Sequence, residues 1–141
     1  MPAISVLFPT YNTREEYLRE AIESVLNQTF RDFEFIIVDD CSPDPNVERV
    51  VKSYDDPRIR YYRNEKNLGI SETRNRLIDL AAGEYLAVMD HDDVSLPERF
   101  EKEAAYLDAH PDVGVLGTAH MEIPSGKVVV PPQTNAEIEE R

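Results

Sequence analysis

The spacing of apolar positions changes several times along this chain, and each change marks an element. "ISVLFP" (Ile4 to Pro9) is a short apolar run ended by a proline, as expected of a buried strand. In "REEYLREAIESVLNQTF", Tyr17, Leu18, Ala21, Ile22, Val25 and Leu26 recur at i, i+3/i+4 behind acids in the first turn. That spacing predicts an amphipathic helix. "DFEFIIVDD" predicts a second strand over Phe33 to Val38, and its near-continuous apolar end predicts burial on both faces. "CSPDPN" reads as a loop and "VERVVKSY" as a short helix. "RIRYYRN" is a third strand, set nearer an edge because arginines alternate with its apolar residues.

"NLGISETRNRLIDLAAG" turns at Gly69, offers Ser71 as an N-cap and predicts a helix running to Gly83. "EYLAVMD" predicts a buried fourth strand, and "LPERFEKEAAYLDAH" a helix with Pro97 in its first turn. "VGVLGTA" reads as a fifth strand and "MEIPSGKVVV" as a hairpin around Pro124, Ser125 and Gly126. "QTNAEIEER" offers Asn135 as an N-cap and then a turn and a half of helix, so the native chain is expected to be truncated at Arg141.

Strands alternating with helices imply βαβ units. The fold class expected is α/β, a doubly wound and mostly parallel sheet with helices on both faces, forming one domain over residues 1–141. Ligands of such sheets sit outside the carboxyl ends of the strands. "PTYN" follows the first strand, "DDCS" the second and "DHDD" the fourth. One edge of the sheet should therefore gather Tyr11, Asn12, Asp39, Asp40, Asp90, Asp92 and Asp93.

Composition narrows the partners. With 15 Lys and Arg against 28 Asp and Glu, the net charge of −13 argues against nucleic acid and against an anionic membrane surface. No apolar run reaches the roughly 18 residues of a membrane span. A strand beginning within four residues of the N-terminus is read as the absence of a signal peptide. One cysteine, Cys41, excludes an internal disulfide framework and fits a reducing compartment. A soluble, cytoplasmic protein is expected.

The chemistry-bearing residues leave alternatives open. Asp90, Asp92 and Asp93 disfavour one another's ionised forms, so "DHDD" is either a solvated capping loop or a cation site. Ser95 and Pro97 already serve the next helix. Mg²⁺ is typically held by one or two carboxylates plus substrate phosphates. In extended backbone Asp90 and Asp92 would share one side, with Asp93 on the other or behind, and His91 pointing away. In "VDDCS" the acids read as acceptors for a nucleobase N–H or ribose hydroxyl, or as loop caps, and Cys41 as a packing residue. Arg74 opposes the dipole in the first turn of its helix, which suits a phosphate or base edge, or an ion pair with Asp39 or Asp40. Tyr11 offers a face for stacking on a base, or lines a turn.

Taken in order, "ISVLFPTYN", "ESVLNQTFRDFEFIIVDDCS", "NLGISETRN" and "YLAVMDHDDVSLPERFEKEAAYL" resemble the N-terminal half of the family 2 glycosyltransferases, which have a Rossmann-like GT-A fold. The resemblance covers nearly all of residues 3–120. It implies a nucleobase pocket lined by Pro9, Tyr11 and Asp40, with Asp39 beside it and Arg74 reaching the base or phosphates. It also implies Asp90 towards the ribose and Asp92 on a Mg²⁺ or Mn²⁺ bound to the diphosphate. The donor would be a nucleotide-diphosphate sugar, by default a UDP-sugar, and the acceptor a saccharide or lipid-linked molecule, as in bacterial surface polysaccharide assembly. Members invert the anomeric centre with an Asp or Glu general base, expected here beyond Arg141, and any membrane contact would come through the missing parts. Thr73 departs from the family's usual small alanine. Two other readings compete: a non-catalytic nucleotide-sugar sensor of the same fold, and a phosphoacceptor receiver domain. The receiver fails because its acidic pair follows the first strand, and because Lys127 falls in a hairpin.

Overall fold

The computed structural model describes residues 2–117, together with the backbone of 120–121 and 128–129. Four parallel strands form the main sheet: β1 (Ile4–Thr10), β2 (Phe33–Asp39), β3 (Ile59–Arg63) and β4 (Tyr85–Val88). They lie in the order β3-β2-β1-β4, with Ile4 level with both Phe33 and Tyr85. The helices between them are α1 (Glu15–Leu26), α2 (Asn46–Lys52) and α3 (Ile70–Leu80), and α4 (Arg99–Ala109) follows β4. β1 sits between β2 and β4, whereas a flavodoxin-like receiver sheet runs 2-1-3-4-5, so the topology removes that alternative.

Both faces of the two central strands are covered, which explains why β1 and β2 are buried at every position. On one face, Val6, Phe8, Phe35 and Ile37 pack with Leu18, Ile22 and Val25 of α1, Val47 and Val50 of α2, and Phe100 of α4. On the other, Leu7, Ile36 and Val38 meet Leu77 of α3. β3 lies at the sheet's edge, as its alternating arginines predict. β4 departs from expectation. Only Ala87 of it is buried, while Leu86 and Val88 are about half exposed (48% and 50%). These two side chains stand level with Ser5 and Leu7 on the α3 face, and α3 covers β1 and β2 rather than β4.

The turn from α3 into β4 is fixed by a polar knot. Glu34 accepts from the Ser5 hydroxyl, from Ala82 N–H at 2.7 Å and from Arg60 at 2.6 Å, and Gly83 N–H donates to Ser5 Oγ at 2.7 Å. A side chain at Gly83 would meet Ser5 N and Oγ at 2.7 Å, so the strand can start this close to β1 only with glycine there.

The chain divides into two compact units, residues 1–104 and 105–141. In the second, Tyr106 stacks on His110, and β5 (His120–Met121) pairs antiparallel with β6 (Val128–Val129). Those short strands agree with the expected hairpin; its tip at Pro124 to Gly126 and the helix start at Asn135 lie outside the described residues. Residues 113–117, expected as the start of a fifth strand, are not in a strand, and Val115 is 92% exposed.

Candidate functional site

The carboxyl ends of β1, β2 and β4 open onto a cleft of about 430 Å³. It is lined by Pro9, Thr10 and Tyr11 from β1, Asp40 after β2, Asn67, Gly69, Ile70 and Thr73 at the start of α3, and His91 after β4. A second, more open depression is lined by Arg14, Glu15, Glu16, Arg19 and Asp44. It is a lattice of exposed ion pairs such as Arg14–Glu16 and Arg49–Glu15, which contribute little.

Asp40 forms the floor of the cleft and organises what surrounds it. Its carboxylate accepts from Leu68 N–H (2.7 Å), Asn64 Nδ2 (2.9 Å) and Gly69 N–H (2.9 Å). Burial alone would raise its pKa, but these donors and the Thr73 hydroxyl outweigh that and hold the carboxyl below the usual range. The Asp40 backbone is tied as well, donating to Thr10 C=O at 2.9 Å and accepting from Asn67 Nδ2 at 3.3 Å. These bonds correct the expected cap of α3. The helix starts at Ile70 behind Gly69 (φ 90°), not at Ser71, and no local side chain caps it. An anion from the next strand over satisfies the donors leading into the helix, as the macrodipole favours. Thr73, in place of the usual alanine, is buried and accepts from Asn64 Nδ2 at 3.1 Å.

Asp39 is not brought to the cleft. It is 1% exposed and accepts hydrogen bonds from Ser42 N–H (2.9 Å), the Ser42 hydroxyl (2.5 Å) and the Tyr61 hydroxyl (2.9 Å). Burial and the neighbouring Asp39 charge push the Tyr61 hydroxyl's pKa far up. The β1 and β2 loops are tied together above this point. Asn12 N–H donates to Ser42 Oγ at 2.8 Å and Asp44 N–H to Asn12 Oδ1 at 3.2 Å. Asn12 (φ 53°) and Cys41 (φ 61°) both sit in the left-handed region. Asn tolerates it readily; Cys rarely adopts it, and such residues gather at ligand-binding loops. Tyr11, between the two loops, is 47% exposed, so a flat face stands free at the cleft mouth.

The acidic stretch after β4 is arranged differently from the extended segment expected. β4 ends at Val88, and its register with β1 closes with Met89 N–H on Leu7 C=O at 3.0 Å. The chain then turns, with Asp93 N–H donating to Asp90 C=O at 3.2 Å, so the alternating geometry invoked for Asp90 and Asp92 does not apply. Asp92 and Asp93 are exposed and Asp90 is intermediate. Arg74 pairs with Asp90 at 3.1 Å rather than with Asp39 or Asp40, both side chains being about half exposed (46% and 48%). His91, expected to point away, instead lines the cleft and bonds Thr13 Oγ1 through Nδ1 at 2.8 Å.

Among the described residues no three carboxylates, imidazoles or thiols converge as a ready-made metal cage. The donor set still suits a hard divalent cation held by one or two carboxylates and completed by ligand phosphates, because Asp90 is half exposed and Asp92 exposed on either side of the cleft-lining His91 in the sequence. Of the expected residues, Pro9, Tyr11 and Asp40 line the cleft; Arg74 and Asp90 pair with each other, each next in sequence to a lining residue (Thr73 and His91), and Asp92 is exposed. Sequence reasoning missed Asn64, Asn67, Thr13 and His91. "NEKNLG" before a helix carried a legible turn signal, whereas Thr13 and His91 lie 78 residues apart and meet only through the fold.

The sequence profile of glycosyl transferase family 2 matches residues 5–139. An uncharacterized glycosyltransferase of Methanocaldococcus jannaschii is 44% identical over 117 residues, covering 82% of this chain and 40% of that protein. Among solved structures, S. aureus TarS in complex with UDP-GlcNAc superposes with a TM-score of 0.70 at 34% identity, over 77% of this chain and 32% of that one. The mannosyltransferase PcManGT of Pyrobaculum calidifontis, in complex with GDP-Man and Mn²⁺, gives 0.67 at 27% identity, over 80% of this chain and 34% of that one. The chain therefore spans well under half the length of each of these relatives.

Proposed function

The chain belongs to glycosyl transferase family 2, with its GT-A sheet, and on that premise we propose that it is the donor-binding part of a metal-dependent, inverting glycosyltransferase using a UDP-sugar. The observation that carries this reading is the cleft at the strand ends, lined by an ionised Asp40 and by Tyr11, with the Arg74–Asp90 pair next in sequence to its lining residues Thr73 and His91.

Each residue then has a role set by its surroundings. Three N–H donors occupy most of the roughly four acceptor positions of the Asp40 carboxylate. The Thr73 hydroxyl donates to the fourth, and a nucleobase N–H would take that position in its place. Tyr11 stacks on the base and Pro9 forms the wall beneath it. Asp39 supports the pocket from behind through Ser42. Asp90 faces the ribose, and its partner Arg74 supplies positive charge for the phosphates. Asp92, with Asp90, would hold Mg²⁺ or Mn²⁺ against the diphosphate. When bound, that ion stabilises the negative charge of the departing nucleoside diphosphate. No residue of this chain is assigned as the general base or to the saccharide or lipid-linked acceptor site, and the chain spans well under half the length of its relatives. Donor binding with little or no transfer is therefore expected of the 141-residue chain, and a cytoplasmic setting is part of the same proposal.

Calorimetric titration with UDP, GDP and dTDP, each with and without Mn²⁺, tests the proposal. Metal-dependent binding of one nucleotide, abolished in Asp92→Ala, supports it and identifies the base. Binding that ignores Mn²⁺ overturns the metal assignment. Absence of binding both here and in a longer chain overturns the donor site itself.

A further inference from the structure

Three carboxylates within four residues repel one another, so the turn that carries them needs holding from outside. The backbone is fixed before it by Met89 N–H on Leu7 C=O (3.0 Å) and after it by Ser95 N–H on Ser24 Oγ (3.1 Å). Between those anchors the turn reaches back to the β1 side through His91. Its Nδ1 lies 2.8 Å from Thr13 Oγ1, which in turn lies 2.7 Å from Thr10 Oγ1. Both threonines are buried, at 6% and 2% exposure, and Thr10 ends β1 within the cleft wall. By contrast, the Arg74–Asp90 pair on the other side of the turn is about half exposed, and a phosphate would compete for its arginine.

We propose that His91 is a positioning residue for the acidic turn. The Thr10–Thr13–His91 chain fixes the imidazole between Asp90 and Asp92, and so presents their carboxylates to the cation and diphosphate of the donor. The inference rests on the donor-site reading above, and it extends that reading to residues outside the carboxylate set. Groups that orient metal ligands typically govern about 10- to 100-fold of metal affinity. A single partly buried hydrogen bond falls at the lower end of that range.

The test uses the 141-residue chain and reads the Mn²⁺ dependence of UDP binding by calorimetry. Metal-free uridine binding is followed in parallel by amide chemical-shift titration. His91→Ala and Thr13→Val should each raise the Mn²⁺ concentration at half-saturation about tenfold. Uridine affinity should be unmoved in Thr13→Val, because Thr13 does not line the cleft. The double variant should be no weaker than the weaker single, since both remove the same link. Thr13→Ser keeps the hydroxyl, and His91→Asn keeps a polar atom near the Nδ1 position; both should restore most of the loss. Unchanged Mn²⁺ dependence in both single variants overturns the proposal, as does an equal loss of uridine binding in Thr13→Val, which would make the ring a plain wall of the cleft. A parent chain that binds UDP equally with and without Mn²⁺ removes the metal reading and this proposal together. A parent that is metal-dependent beside unaffected variants removes this proposal alone.

Discussion

Asp39–Asp40 after β2 and Asp90–Asp93 after β4 are both clusters of carboxylates leaving the same edge of one parallel sheet, yet the fold holds them in different ways. The first pair is buried and surrounded by donors: Ser42 and Tyr61 for Asp39, and Asn64, Leu68 N–H and Gly69 N–H for Asp40. In the second cluster Asp92 and Asp93 are exposed, and Asp90 meets a half-exposed arginine. Acidity after a strand therefore does not by itself define a role. The supply of nearby donors does: for Asp40 it comes from the loop into α3, and for Asp39 from Ser42 just after β2 and from Tyr61 of β3.

The sharpest way to break this contrast is Asp40→Ala. It would leave two backbone N–H groups and an Asn side chain without their acceptor, at a cost of about 3 kcal/mol after partial rehydration. A urea unfolding curve with unchanged m-value reads that loss, and UDP binding should disappear with it. Asp39→Ala removes the acceptor of Ser42 and Tyr61, so about 2 kcal/mol is expected. Here UDP binding, measured where the variant is still folded, should persist, because Asp39 does not line the cleft. If Asp39→Ala abolishes binding while stability is kept, the division between supporting and ligand-facing acid is wrong.

Much of this architecture was legible in the sequence, for reasons that also mark the limits. The continuous apolar run of β2 forecast a strand covered on both faces, and the arginines of "RIRYYR" forecast an edge. β4 read as buried because "YLAVM" is just as apolar, but pattern alone does not reveal that α3 stops short of it. The cleft residues Tyr11 and Asp40 came from position after strands and Pro9 from the family resemblance, while Arg74, read from its place at a helix start, pairs with Asp90 outside the cleft lining. Asp39 could not be separated from Asp40, since adjacent residues leave a strand on opposite sides and the register decides which one faces the cleft. Ser71 looked like the cap because it was local; the real acceptor lies 29 residues away, on the far side of a crossover. His91 was misjudged because extended backbone was assumed where the chain turns.

Acid sensitivity should sharpen the same contrast with a smaller effect. Asp40, Glu34 and Asp56 all have carboxyl pKa values held low in the fold. For Asp40 and Glu34, burial works against this and is outweighed by hydrogen bonds from Leu68 N–H and from Ser5, respectively; for Asp56 the Arg58 guanidinium is the main cause. A carboxyl whose folded pKa is depressed contributes stability that is present above its unfolded value and lost as pH falls through the folded one. Stability should thus be level above about pH 5 and fall away below about pH 4. Asp40→Asn should flatten part of that fall, and urea midpoints across this pH range check it.

The smallest effect on stability, and the most informative about function, is expected for Asp92→Ala. Asp92 is exposed in a turn between two other acids, so truncation leaves no buried donor unsatisfied and relieves some like-charge repulsion. Its unfolding free energy should stay within about 0.5 kcal/mol of the parent's, as for most surface substitutions. Mn²⁺-dependent UDP binding should nonetheless be lost, because the carboxylate's worth appears only when a cation and a diphosphate are present to neutralise it. A site of this kind is held in a mildly unfavourable state by the fold and relieved by its ligand. Should Asp92→Ala prove as destabilising as Asp39→Ala, the second cluster is framework like the first. If it leaves Mn²⁺-dependent binding intact, the cation is held elsewhere.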